Sequence, residues 1–178
     1  MSILEIVLFG SGLAMDASSV AMADGMAECG MKLKKALVIA TIFGIFQGLM
    51  PILGFYSGRL FSERLNAINH FIAFLILLFL GLKMIFEARE KEEVPERINF
   101  SKIILQGIAT SIDALFAGVT LAIAGARIYL SALIISLITL ALSFVAIYLG
   151  CVCGHLIKNK AQILGGIILI LLGIKMLI

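Results

Sequence analysis

Two carboxylates sit where carboxylates are costly. Asp16 lies at the middle of Gly12-Leu13-Ala14-Met15-Asp16-Ala17-Ser18-Ser19-Val20-Ala21, and Asp113 lies at the middle of a second apolar run, Ala109-Thr110-Ser111-Ile112-Asp113-Ala114. At the centre of a membrane helix an aspartate costs about 2.5 to 3.5 kcal/mol on insertion scales. No lysine or arginine falls within residues 3–26 to neutralise Asp16. Two such residues in one short chain ask for a common explanation, and the simplest is that they face each other around a cation or a proton. The competing role is a pair of protonated acids, each hydrogen-bonded to a backbone carbonyl. Leucine would pack as well without the polar cost.

The neighbours of the two carboxylates complete a ligand set. Helical spacing puts Gly12, Leu13, Ser19, Val20 and Ala23 on the side of Asp16, and Ala109, Thr110, Phe116, Ala117 and Thr120 on the side of Asp113. Small residues leave room for an ion, and the hydroxyls of Ser19 and Thr110 offer oxygen. Gln47 is the other polar side chain of any reach at depth, and Pro51, one turn on, releases a backbone carbonyl near it. The expected metal ligands are therefore Asp16, Asp113, Gln47, Ser19 and Thr110, with the Met15 thioether as a further candidate. Packing is the competing role for Met15, because Ile112 takes its place in the second motif. Oxygen ligands suit Mn²⁺, Mg²⁺ or Ca²⁺, whereas Zn²⁺ or Cu⁺ would favour His and Cys. A thioether tilts that choice toward manganese. Cys29, Cys151 and Cys153 have no metal-site spacing and read as small apolar residues near helix ends, while His70 and His155 lie toward segment ends.

The elements that must position these groups are membrane spans. Of the 178 residues, 62% are hydrophobic and 14% charged, and the mean hydropathy of +1.15 excludes a soluble globular domain. A net charge of +3, scattered among loops, argues against nucleic-acid binding. The fold class is all-α integral membrane, with six apolar segments at about residues 3–26, 36–56, 67–86, 101–124, 130–150 and 162–178. The first lacks a basic n-region and carries Asp16, so it reads as a retained span and not as a signal peptide. Residues 87–100, with charges of both signs and Pro95, read as a solvated linker between a first three-helix unit, 1–86, and a second, 101–178.

Basic residues set the orientation. Lys32, Lys34, Lys35, Lys83, Arg89, Lys91, Arg97, Lys102, Lys158 and Lys160 fall on the side of the odd-numbered connections; Arg59, Arg64, Arg127 and Lys175 fall on the other. Ten against four predicts a cytoplasmic linker and extracytoplasmic termini. The cysteines then lie near the cytoplasmic face, where thiols stay reduced. The halves also match: Asp16-Ala17 with Asp113-Ala114, Gly54 and Gly58 with Gly150 and Gly154, and Leu80-Gly81-Leu82-Lys83-Met84 with Leu172-Gly173-Ile174-Lys175-Met176. Three spans per unit turn the second unit upside down, which predicts two inverted repeats with the carboxylates meeting at their interface. The glycine pairs Gly44 and Gly48, Gly54 and Gly58, and Gly150 and Gly154 predict close helix packing.

Met15-Asp16-Ala17, the stretch from Phe43-Gly44 to Pro51 and Gly54, Leu80-Gly81-Leu82-Lys83-Met84-Ile85 and Ala109-Thr110-Ser111-Ile112-Asp113-Ala114 together resemble the bacterial MntP-type manganese efflux pumps. That family groups with the lysine exporter superfamily, and the resemblance covers nearly the whole chain. It implies a multi-pass protein of the bacterial inner membrane that exports Mn²⁺ from the cytoplasm, with manganese as cargo and not as cofactor. It further implies Asp16 and Asp113 as the functional carboxylates. Some members carry glutamate where Gln47 stands, and the position of Asp24 is variable or basic among relatives. Two other functions compete. An exporter of another divalent cation or of a small solute would share the architecture, but a solute carboxylate would find no cationic side chain at depth. An intramembrane aspartyl protease would carry Gly-x-Gly-Asp, which Thr110-Ser111-Ile112-Asp113 does not supply, so an enzyme is not expected. The expected partners are the manganese ion and the lipid bilayer, with a homodimer among the assembly states left open.

Overall fold

A computed structural model describes residues 2–62, 69–87 and 98–177 of the chain. The regular structure among them is helical: α1 (Ile3–Ala27), α2 (Leu33–Ser62), α3 (Asn69–Glu87), α4 (Phe100–Ile123) and α5 (Ile128–Leu177). The expected linker residues 88–97, including Pro95, and Arg64 lie outside the described residues. Four stretches are long and apolar enough to cross a membrane: Ile3–Ala27, Leu33–Gly58, Phe100–Ile123 and Ile128–Val152. The fifth and sixth apolar segments share the 50 residues of α5. At 1.5 Å per residue that is about 75 Å of helix, more than twice the hydrocarbon thickness, so α5 contains length for two spans.

Local signals explain where the helices begin and turn. Ser2 and Glu5 form a reciprocal cap at the start of α1: the Glu5 N–H donates to Ser2 Oγ at 3.3 Å, and the Ser2 N–H donates to Glu5 Oε2 at 3.2 Å. Gly125, at φ 62°, takes the left-handed conformation that lets α4 turn into α5 within a few residues.

Glycines then decide which helices touch. Gly25 lies against the Ile147 backbone and Gly150 against that of Met22, so α1 runs alongside the first half of α5. Gly54 lies against Leu115 and Gly118 against Pro51, so α2 runs alongside α4. A Cβ at any of these four positions would collide with backbone. In lipid, where apolar burial gives little drive to helix association, backbone approach of this kind is what brings helices together. Gly44 and Gly48 also seat α2 on Ser136 of α5, and Gly173 seats the far part of α5 on Leu77 of α3. The interior fills around these contacts in two clusters, one with Phe9, Leu13, Leu77, Leu121 and Ile135 and one with Ala17, Ile39, Phe43 and Ile147. Large apolar residues such as Phe79, Leu105, Leu133 and Leu137 remain exposed on the outside, as a lipid-facing surface requires.

The cysteines depart from expectation. Cys29 and Cys151 are joined as a disulfide, with their Cα atoms 5.2 Å apart. The reason lies in packing: Gly25 is pressed onto Ile147, and four residues further along each segment bring Cys29 and Cys151 within bonding distance.

Replacing Gly118 by leucine should drive α4 off α2 and destabilise the protein by about 1 to 3 kcal/mol or more. Ile112→Val, at a position 49% exposed, should be neutral. Thermal midpoints and elution profiles in detergent measure both; an undisturbed Gly118→Leu protein would contradict the α2–α4 contact.

Candidate functional site

Gln47 is the most deeply buried of the expected ligands. Gly44 and Gly48 hold this part of α2 against α5, and the side chain between them is fully buried. Its amide Nε2–H donates to the carbonyl of Leu13 on α1 at 3.1 Å. Its Oε1 is buried with no hydrogen-bond partner among the described residues. An amide fixed on one side and open on the other presents an oxygen to whatever occupies the space beyond it.

The depth of the two carboxylates follows from a second buried contact. Gln106 Nε2 on α4 donates to Asp24 Oδ1 on α1 at 3.0 Å. Helix α1 is antiparallel to α2, to which it is joined by a short loop, and α2 is parallel to α4, so α1 and α4 run antiparallel. Stepping back eight residues from Asp24 reaches Asp16, and stepping on eight from Gln106 reaches Ala114, beside Asp113. Both steps are about 12 Å along the axis, so Asp16 and Asp113 lie at the same depth. Asp16 is half-buried and Asp113 is 6% exposed.

The smaller candidates divide. Ser19 Oγ donates to the Met15 carbonyl at 2.8 Å and Thr110 Oγ1 to the Gln106 carbonyl at 3.0 Å. Each hydroxyl spends its proton on its own helix and keeps lone pairs for another donor or an ion. Met15 packs half-buried against the cluster of Phe9 and Leu13, which favours its packing role. Among the described residues no three His, Cys, Asp or Glu side chains gather where one metal ion could take them all.

One expectation is overturned. A cationic side chain does reach this depth: Lys83 Nζ of α3 donates to Asp113 Oδ1 at 3.0 Å and to Oδ2 at 2.9 Å. Lys83 was assigned to a loop because it lies near the end of its apolar segment, but its long stem carries the ammonium to the middle of α4. Removing it from the loop count leaves nine basic residues against four (10 − 1 = 9), so the orientation argument keeps its sign. The ammonium also constrains chemistry. A dication 4 Å from an ammonium is repelled by about 8 kcal/mol at an effective dielectric of 20, twice the value for two unit charges.

Sequence reasoning also missed Gln106 and the fully buried hydroxyls of Ser111, Thr139 and Ser143, which have no hydrogen-bond partner among the described residues. A signal for Lys83 was present, since both halves carry a lysine inside an otherwise apolar matching motif. Beyond Asp24, at the end of α1, a cavity of about 430 Å³ is lined by Ala27, Glu28, Lys35, Ile98 and Asn99, with Glu28 and Lys35 ion-paired.

Comparison with known proteins identifies the family of the chain. Residues 30–177 match the family model described as "Mntp: Putative manganese efflux pump". Proteins titled "Putative manganese efflux pump MntP" from Clostridium perfringens, Campylobacter hominis and Methanothermobacter thermautotrophicus are 43%, 41% and 41% identical to the chain. These alignments cover 100%, 98% and 100% of the chain and 95%, 97% and 97% of the respective relatives. No solved structure matches the chain.

Gln106→Leu removes the donor to Asp24 and leaves a carboxylate buried with neither oxygen bonded, at a cost of about 1 to 3 kcal/mol. Replacing both Asp24 and Gln106 by leucine should recover most of that loss. Thermal midpoints of the two single variants and the double variant in detergent provide the check; strict additivity would deny the pairing.

Proposed function

Because the chain belongs to the MntP family of manganese efflux pumps, we propose that it exports Mn²⁺ from the cytoplasm with Asp16 and Asp113 as paired anionic ligands. It is a multi-pass membrane protein of a transporter family and not an enzyme. The observation that carries the proposal is the equal depth of the two carboxylates, with the open amide oxygen of Gln47 in the same layer. Two carboxylates cancel the charge of one dication, so a loaded site is neutral in surroundings where net charge is expensive. Carboxylate, amide and hydroxyl oxygens, without thiolate or imidazole, favour manganese over zinc or copper. The Lys32–Lys35 end, where the cavity beside Glu28 opens, supplies the cytoplasmic approach.

Two inverted three-helix repeats relate the helices that carry the two carboxylates, with Asp16 and Asp113 four residues apart in register. Supporting that arrangement, Gly150 seats on α1 six residues past Asp16, at Met22, and Gly54 seats on α4 at Leu115, two residues past Asp113. In each case the second helix of one half lies on the first helix of the other, which is the reciprocal contact that a two-fold relation generates.

Asp16→Asn should reduce manganese efflux at least tenfold, because a neutral amide replaces one of two anionic ligands in a site that bulk water does not refill. The check is manganese accumulation in cells lacking their own exporters, alongside membrane abundance. Wild-type clearance by a normally expressed Asp16→Asn protein would remove Asp16 from the mechanism. Rescue from zinc in preference to manganese would overturn the oxygen-ligand argument.

For orientation, the two cues oppose each other: basic residues place the loop end in the cytoplasm, whereas a disulfide at Cys29 and Cys151 belongs to an oxidising compartment. The charge count decides our assignment. A cysteine introduced among residues 88–97 should escape an impermeant thiol reagent in intact cells, and labelling from outside would reverse both the topology and the direction of transport.

A further inference from the structure

Lys83 is not needed to hold a metal ion, yet it occupies the carboxylate that the proposed function assigns to the cargo. Its ammonium contacts both oxygens of Asp113, at 3.0 and 2.9 Å, and so covers the edge through which a carboxylate would chelate an ion. The two partners differ in freedom. The Asp113 side chain is 9% exposed and sits on a buried face of α4 with Ala114, Ala117 and Gly118. The Lys83 side chain is 34% exposed and ends a flexible four-carbon stem. Of the two, Lys83 is the more exposed and the more flexible.

From this geometry we infer that Lys83 is a tethered counter-cation, which holds Asp113 while the cargo is absent and is displaced when a divalent cation binds. The inference rests on the assignment of Asp113 as a cargo ligand. Ammonium and dication cannot share Asp113 at contact distance, because their repulsion is twice that of two unit charges and the interior screens it poorly. Exchange between them solves a problem that every exporter with a carboxylate site faces. After release, the empty carrier must reset with less net charge at mid-membrane, and an ammonium on a tether neutralises Asp113. Lys83 thus acts by competition: it lowers affinity for the cargo and speeds return of the empty site. It touches Asp113 and not the ion.

Competition separates this role from a structural ion pair. Lys83→Gln removes the charge and keeps a side chain of comparable reach, so the full-length protein in detergent should bind MnCl₂ at least tenfold more tightly than wild type. In proteoliposomes the same variant should keep Mn²⁺/Mn²⁺ exchange while net efflux falls several-fold, because only net efflux requires the empty site to reset. Lys83→Arg, which keeps the charge, should bind manganese with wild-type affinity. A purely structural lysine would instead lower binding, exchange and efflux together when replaced by glutamine, and that result overturns the inference. Should Lys83→Gln fail to fold, the wild-type chain supplies a second measurement: reductive methylation of Lys83, read by mass spectrometry, should rise several-fold on adding MnCl₂. No change on metal addition overturns the inference. Asp113→Asn, measured in parallel, keeps the two levels of argument apart. If it abolishes manganese binding while Lys83→Gln binds no tighter than wild type, the counter-cation role fails and the ligand role of Asp113 stands. If Asp113→Asn binds manganese as wild type does, the paired-carboxylate site itself fails, and the role of Lys83 with it.

Discussion

Hydrocarbon offers a carboxylate neither water nor counter-ion, so compensation has to be built from the protein. The Asp113–Lys83 contact is that compensation made visible, and much of the architecture can be understood as the means of sustaining it. Lys83 comes from α3, and Asp113 comes from an α4 held at its depth by contact with α2. A helix carrying Asp113 alone would have to protonate it or draw water to it. Within the bundle the group stays buried and charge-paired.

The arrangement depends on backbone contacts that side chains would prevent. Gly25, Gly54, Gly118 and Gly150 each press a helix onto the main chain of another, which narrows the distances across the centre to those that Gln47 and Gln106 can span. Polar groups at depth then bond across helices, as with Gln47 to the Leu13 carbonyl and Gln106 to Asp24. Hydroxyls bond back along their own helices, as with Ser18 to Ala14 and Ser19 to Met15. This division follows from reach: an amide on two methylenes crosses to a neighbouring helix, and a hydroxyl on one carbon does not.

Periodic and local features were legible in the sequence. The apolar segments, the mid-segment carboxylates Asp16 and Asp113, Gln47 near Pro51, and the glycines at four-residue spacing follow from composition and helical geometry, and the helices contain all of them. What stayed hidden depends on contacts between distant parts of the chain. Lys83 looked like a loop charge because hydropathy measures where a Cα lies and not where a four-carbon stem ends. Cys29 and Cys151, 122 residues apart, share no motif that announces a bond. Asp24 was noticed without a partner, and Gln106 is 82 residues away from it.

The bond from Gln47 to Leu13 has a mechanical consequence. It ties α1 to α2, neighbours in sequence, by a directional link that holds them in one register. Helix α1 has two further ties to the bundle, the Gln106–Asp24 hydrogen bond from α4 and the Cys29–Cys151 disulfide to α5. The two ties lie toward the Ala27 end of α1, and Gln47 holds its middle, so the helix is fixed at more than one level. Shear of α1 along α5 is thus blocked while the disulfide is closed and becomes open to the chain once it is reduced.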